Sequence, residues 1–326
     1  MGGWRYVARK IAQALFTLIF VLTFNFFLFR IMPGDPVRLL TKQRGIQLSK
    51  QAQAALAHDL GLDKPLPAQF AQYVGDTVRG DLGYSFLYQG QTVTQVFLGR
   101  VWPTVLLVGT ATVFMTIIGI YMGIRGGWNR GSRFDTTSMG AGLTFYSMPD
   151  FWLAMMLLIL FSTTLGWFPS GGFSTPGVPS STFAHVVDIA NHMFLPAFTL
   201  IVGYLGEYYL VMRSSLLDVM GEDYITTVRA KGVREDRVLW RHAVRNAMLP
   251  TISQIALGFG FVIGGAVTVE LVFSYPGLGL LTIEALEGQD YLLLQGLFLF
   301  FSIAVLVSNL IADLLYSWFD PRVRVA

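Results

Sequence analysis

The chain has 326 residues, of which 53% are hydrophobic, 14% aromatic and only 13% charged, with a formal net charge of +3. A soluble chain carries about a quarter charged residues, so this composition points to lipid and excludes a disordered chain and a nucleic-acid binder with a basic face. The absence of cysteine excludes a disulfide scaffold, zinc–thiolate sites and thiol redox chemistry.

A bilayer core about 30 Å thick needs roughly 20 apolar residues in a helix rising about 1.5 Å per residue. Six runs approach that length: Ile11–Met32, Trp102–Ile124, one within Met139–Phe168, Phe194–Leu217, Thr251–Phe273 and Leu292–Phe319. The first follows Arg5, Arg9 and Lys10, as a secretory signal would. It is longer than a signal core and no small-x-small cleavage site precedes Pro33, so it reads as a retained helix. The third is too long for one straight span and contains Pro149. A kinked helix and an interfacial segment followed by a shorter span both fit it.

The connection from residue 33 to residue 101 reads as a small helical domain. Ser49 can cap a helix through Asp59 and Leu60 that stops at Gly61, and Pro67 suits the first turn of a second helix. Phe70, Tyr73, Val74 and Thr77 line one side of that second helix. A folded cap on the spans and a docking surface for an external partner are both compatible with this pattern.

Lys and Arg in alternate connections set the orientation. Arg125, Arg130 and Arg133 follow the second span, seven basic residues lie from Arg213 to Arg245, and Arg322 and Arg324 follow the last, whereas 169–193 and 274–291 have none. Both termini are therefore expected in the cytoplasm of a multi-pass protein of the cell membrane. The basic 33–101 connection falls outside, and it is longer than the loops for which charge dictates topology.

The connection between spans four and five, residues 218–250, carries the densest signal. Asp223 can cap a short helix, Gly232 can end it in a left-handed turn, and a second helix from Glu235 to Ala247 is expected to stop before Pro250. Val238, Leu239, His242 and Leu249 fall on one side of it, with Arg237, Arg241 and Arg245 on another. Such a helix can lie on anionic membrane lipid or meet a protein partner.

Ala230-Lys231-Gly232, followed 18 residues later by Leu249-Pro250, resembles the cytoplasmic EAA loop of permease subunits in binding-protein-dependent ABC importers. Arg30-Ile-Met-Pro-Gly-Asp-Pro36, Leu60-Gly-Leu-Asp-Lys-Pro65, Gly80-Asp-Leu-Gly-Tyr-Ser85, Val269-Glu-Leu-Val-Phe-Ser-Tyr-Pro-Gly-Leu-Gly279 and Asp313-Leu-Leu-Tyr-Ser-Trp-Phe-Asp-Pro-Arg322 are similar to the peptide, opine and nickel branch. A domain after the first span is similar to the B-type subunit of dipeptide and oligopeptide systems. Thr226-Thr227-Val228 stands where the loop's Glu-Ala-Ala would be.

The resemblance implies an all-α membrane protein of type I ABC importer permease architecture, with about six transmembrane helices. Residues 1–32 would hold the N-terminus and first span, 33–101 an extracytoplasmic domain and 102–326 the transmembrane core. It implies a second homologous permease, two cytoplasmic ABC ATPase domains and an extracytoplasmic substrate-binding protein as partners. ATP and Mg would be used by the ATPases, with no cofactor bound by this chain. Asp223, Tyr224, Arg229, Ala230, Lys231, Gly232, Arg234, Arg237 and Arg241 would form the ATPase-coupling site. Relatives move dipeptides, oligopeptides, glutathione-like peptides, opines or nickel.

Ionisable residues within spans are functional suspects. Glu207 sits mid-span with no local partner, and either an interhelical hydrogen bond or a place in the translocation path fits it. Asp150 beside Pro149 belongs to a kink or to the path. Glu270 and Asp313 lie near span ends, from which both can snorkel, and Glu270 is a further path candidate. Gly258, Gly260, Gly264 and Gly265 can let span five approach a neighbour closely. No GxxxxGK[ST] run occurs, and His58, His185, His192 and His242 lack metal-ligand spacing. A secondary transporter would need a buried ion site and broken helices in both halves. An intramembrane enzyme lacks a nucleophile and base pair.

Overall fold

The computed structural model describes residues 2–31, 63–179 and 183–319, together with residue 51. The expected helix from Ser49 to Gly61, most of Arg30–Pro36, His58 and the terminal residues 320–326 lie outside the described residues. Among those described, the only β structure is an isolated antiparallel bridge between Tyr84 and Thr92.

Helix α1 spans Gly2–Ile31 and α2 spans Leu66–Val78. Pro65 precedes α2 in extended conformation and Pro67 lies in its first turn, where a missing N–H costs nothing. The ring of α1 Phe26 meets Phe70 and Tyr73 of α2, with centroids 5.3 and 5.7 Å apart. The side predicted from Phe70 and Tyr73 thus packs as a cap on the first span.

Helix α3, Val93–Trp128, begins well before the expected Trp102, because Thr92 and Gln95 close a capping box. Next come α4, Arg133–Tyr146, and α5, Asp150–Leu157, which continues as a π-helical turn through Thr164. Their axes are bent by 101°. Pro149 therefore separates two helices, and the third apolar run is a broken span or re-entrant pair instead of one kinked helix. Helix α6 spans Phe183–Met220 and holds Pro196 inside it.

A short helix α7, Asp223–Ala230, leads through Gly232 to α8, Glu235–Arg237. A π-helical turn over Val238–Ala243 joins α8 to α9, Val244–Val272. Two expectations fail here. Glu222, not Asp223, is the extended residue before α7, and no side chain caps the helix. Pro250 does not stop the second helix, which runs through it. A proline interrupts a membrane helix less than a soluble one because neighbours re-satisfy the freed backbone. Pro250 removes the N–H partner of the Asn246 carbonyl, and α6 lies against this turn, with the Ser215 hydroxyl donating to the adjacent Ala247 carbonyl at 2.8 Å.

Helix α10, Leu278–Glu287, precedes α11, Tyr291–Phe319. Four described helices are individually long and apolar enough to cross a membrane, and the bent α4–α5 pair makes up to five. The expected fifth span lies within α9, where the packing of Gly258, Gly260, Gly264 and Gly265 is outside the described residues. Phe16 is 74% and Ile117 62% exposed, side chains that only a lipid or protein neighbour would cover favourably.

Helix α6 is the hub, packing against α3, α4, α5 and α9. Its approach to α3 depends on small residues. A β-carbon on Gly119 would stand 2.5 Å from Tyr208 Cβ, and one on α6 Gly206 would stand 2.5 Å from the Gly142 carbonyl oxygen of α4. Close backbone approach of this kind replaces the hydrophobic drive that lipid removes. Separately, α1 packs on α11, where Lys10 and Asp313 form an ion pair at 2.9 Å. Asp313 is thus held by a partner on another helix and need not snorkel.

Candidate functional site

The segment 221–247 folds as a compact knob on the ends of α3 and α6. Ile225, Val238 and Ala243 are wholly buried and form one core with Ile124, Met212 and Leu216. Burial of an isoleucine contributes about 1.5–3 kcal/mol, so Ile225 ties α7 firmly to α3 and α6. Tyr224 and Asn246 bridge the two arms: the Asn246 amide donates to Tyr224 Oη at 2.7 Å, and the Tyr224 hydroxyl donates to the His242 carbonyl at 3.3 Å.

Gly232 takes φ +74°, the left-handed turn expected of it and a region that costs an L-residue about 1–2 kcal/mol. A β-carbon there would meet nothing within 4 Å. The glycine is needed for conformation within this chain, and the space above it is open.

The expected coupling residues cluster but differ in state. Asp223, Tyr224, Arg229, Ala230, Lys231, Arg234, Arg237 and Arg241 are all exposed. Arg229 pairs with Glu235 at 3.2 Å and lies over the Trp128 ring at 5.8 Å, while Arg234 pairs with Asp236 at 3.1 Å. Exposed pairs of this kind contribute about 0–1 kcal/mol, so they can exchange partners readily. Among the described residues, Lys231, Arg237, Arg241 and Arg245 have no ion-pair partner. Val238 is buried and Leu239 and His242 partly so, opposite the exposed arginines, which preserves the expected two-sided pattern despite the π-helical turn.

A cluster missing from the sequence reading anchors this end of the fold. Asp135, in the first turn of α4, is 2% exposed. It accepts from Arg213 Nε at 2.6 Å and Nη2 at 2.8 Å, from the Tyr209 hydroxyl at 2.5 Å and from the Gly131 N–H at 2.9 Å. Such a bidentate arrangement is the strongest geometry open to an arginine. Arg213 had been legible only as one more basic residue beside the loop.

Within the spans, Glu207 accepts a hydrogen bond from the Gln254 amide of α9 at 2.5 Å, so the interhelical bond considered for it is present. Asp150, at the N-terminus of α5, accepts from the Tyr204 hydroxyl at 3.0 Å and lies against Gly203. Both acids are therefore partly buried and held by a bond between helices, Glu207 of α6 by α9 and Asp150 of α5 by α6. Glu270 differs from expectation. It is fully buried and does not snorkel, because it accepts from Thr104 Oγ1 and the Gly279 N–H at 2.7 Å each and from the Leu280 N–H at 3.1 Å. The carboxylate occupies the positive N-terminal end of α10.

The comparisons agree with one another. Residues 115–325 match the family described as binding-protein-dependent transport system inner membrane component, and residues 3–108 match the N-terminal region of such membrane components. The dipeptide transport system permease protein DppB of Escherichia coli K12 is 37% identical over 337 residues, covering 98% of each chain. A putative peptide permease protein of Brucella suis is 36% identical, and the oligopeptide transport system permease protein AppB of Bacillus subtilis 33%, each covering 98% of this chain and 99% of the relative. Among solved structures, the methionine ABC transporter MetNI in inward-facing form shares the fold, with TM-score 0.56 at 15% identity over 69% of this chain and 97% of that one. The chain belongs to the family of binding-protein-dependent transport system inner membrane components.

Proposed function

We propose that the chain is the B-type permease subunit of an ATP-driven importer of dipeptides and oligopeptides. The observation that carries this reading is the near full-length similarity to DppB and AppB, combined with an exposed, glycine-hinged knob at 221–247. A second homologous permease would complete the translocation path, and two ATPase domains would hydrolyse ATP with Mg. An extracytoplasmic binding protein would deliver the peptide, while this chain performs no catalysis. Both termini and the knob would face the cytoplasm of the cell membrane.

The packing supports a mechanical role for the knob. Closure of the ATPases would press on α7 and the open space above Gly232. Because Ile225 is buried against Met212 and Leu216, α7 cannot shift without moving α6. Because α9 continues from the knob as one helix, the same displacement reaches Gln254 and its bond to Glu207. Two discrete arrangements of the spans, biased by a partner's ATP cycle, would alternate access to the path.

Purification in mild detergent tests the assignment. The expected result is recovery of a second permease and P-loop ATPases whose turnover rises with a peptide-loaded binding protein. Isolation without any ATPase, together with peptide uptake driven by an ion gradient alone, would overturn it.

A further inference from the structure

Residues 80–92, between α2 and α3, form a loop closed at its base. The Val93 N–H donates to the Gly83 carbonyl at 2.9 Å, and the Ser85 N–H donates to the Gln91 carbonyl at 3.1 Å. Its tip is held by two carboxylates from distant sequence. Asp290, between α10 and α11, is fully buried. Its Oδ2 accepts from the Ser85 hydroxyl at 2.6 Å, the Phe86 N–H at 2.7 Å and the Leu87 N–H at 3.0 Å, while Oδ1 accepts from the Leu293 N–H at 3.1 Å and caps α11. On α10, Glu284 accepts from the Tyr88 hydroxyl at 2.5 Å and lies 3.6 Å from Arg100 of α3.

Apolar contact already glues these parts together, since Leu82 and Tyr88 pack on a core of Val93, Leu281, Ala285 and Leu293. A buried carboxylate adds a desolvation cost that an apolar contact would avoid. What it adds instead is a single fixed geometry, because three consecutive loop residues converge on one oxygen. The other end of α10 is fixed as well, by Glu270 and by the Leu278 N–H donating to Thr104 Oγ1 at 2.7 Å. Helix α10 therefore cannot move independently of the loop at one end or of α9 and α3 at the other.

We propose that Asp290 is a positioning residue that joins loop 80–92 and α10 into one rigid lever, so that a partner pressing on the outer domain displaces α9. This rests on the importer reading above, in which that partner is the loaded binding protein and α9 leads to the ATPase-contacting knob.

The test uses the full complex in nanodiscs, with ATPase turnover measured without and with the peptide-loaded binding protein, and binding-protein affinity measured separately. In Asp290→Asn and in Ser85→Ala, stimulation should fall about tenfold, as expected for loss of a hydrogen bond to a charged group, while basal turnover and binding-protein affinity stay unchanged. A merely structural role would lower complex yield and basal turnover together. The cysteine-free chain permits a second variant, Ser85→Cys with Asp290→Cys. The oxidised pair should stimulate and the reduced pair should not. Normal stimulation in Asp290→Asn or in the reduced pair, or none in the oxidised pair, would overturn the lever. Absent stimulation in the unmodified complex would overturn the importer reading itself, and the lever with it.

Discussion

Removing the Asp135 carboxylate tests how the loop end of the fold is held. Asp135→Ala deletes the acceptor for Arg213, Tyr209 and Gly131 at once. It also strands a guanidinium whose side chain is only 15% exposed. Breaking a buried pair by removing one partner costs about 3–5 kcal/mol, and the residual exposure of Arg213 places the expected loss near the lower end. Asp135→Asn loses the charge and keeps one acceptor oxygen, which can serve Tyr209 or Gly131 but not both, because they bind opposite carboxylate oxygens, so about 1.5–3 kcal/mol is expected. Tyr209→Phe removes one charge-assisted bond and should cost less than either. Thermal unfolding in detergent, followed by loss of monodisperse protein, should rank the midpoints unmodified, Tyr209→Phe, Asp135→Asn, Asp135→Ala. The double variant Asp135→Ala with Arg213→Ala should be less destabilised than the sum of its parts by about 0.5–3 kcal/mol. An unmodified midpoint for Asp135→Ala, or strict additivity in the cycle, would refute the reasoning.

Further outcomes follow from the same geometry. Gly232→Ala should retain most peptide uptake, since it carries only the left-handed backbone cost of about 1–2 kcal/mol, whereas Gly232→Arg should abolish uptake at normal membrane abundance by filling the open space; normal uptake by Gly232→Arg would exclude the coupling role. Gly206→Ala should destabilise the chain by about 1–3 kcal/mol through overpacking against Gly142, and an unchanged melting midpoint would contradict the close α4–α6 approach. Glu235→Ala, which breaks the exposed pair with Arg229, should shift stability by no more than about 1 kcal/mol, as checked in the same unfolding assay.

Local chemistry made part of this fold legible. Gly232 announces a left-handed turn because no other residue type adopts one without cost, and Phe70 and Tyr73 announce a packed face because helical spacing brings them to one side. One proline misled. Pro250 reads as a stop from local geometry, yet α9 runs through it where α6 packs alongside and Ser215 bonds the Ala247 carbonyl. Pro149 does break its run, because Asp150 takes the N-terminus of a new helix facing Tyr204. The charged anchors were the least visible. Asp135 and Arg213 are 78 positions apart, and Ser85 and Asp290 are 205 apart, so no periodic pattern links them. Glu270 looked like a residue able to reach water, and only the return of α10 over the end of α9 buries it. The motif stretches nonetheless contain Ser85, Glu270 and Gly279, which hold loop 80–92 and the start of α10 through Asp290 and the Glu270 carboxylate.

Reconstituted liposomes test the central claim most directly. The chain, its second permease and the ATPases would be inserted with the knob of 221–247 facing the lumen, and uptake of a labelled dipeptide would be measured with a binding protein outside. Uptake is expected only when ATP and Mg are enclosed in the lumen, and it should vanish with Gly232→Arg while the complex remains assembled. Equal uptake without lumenal ATP, or with an ion gradient in its place, would contradict the assignment of this chain to an ATP-driven importer.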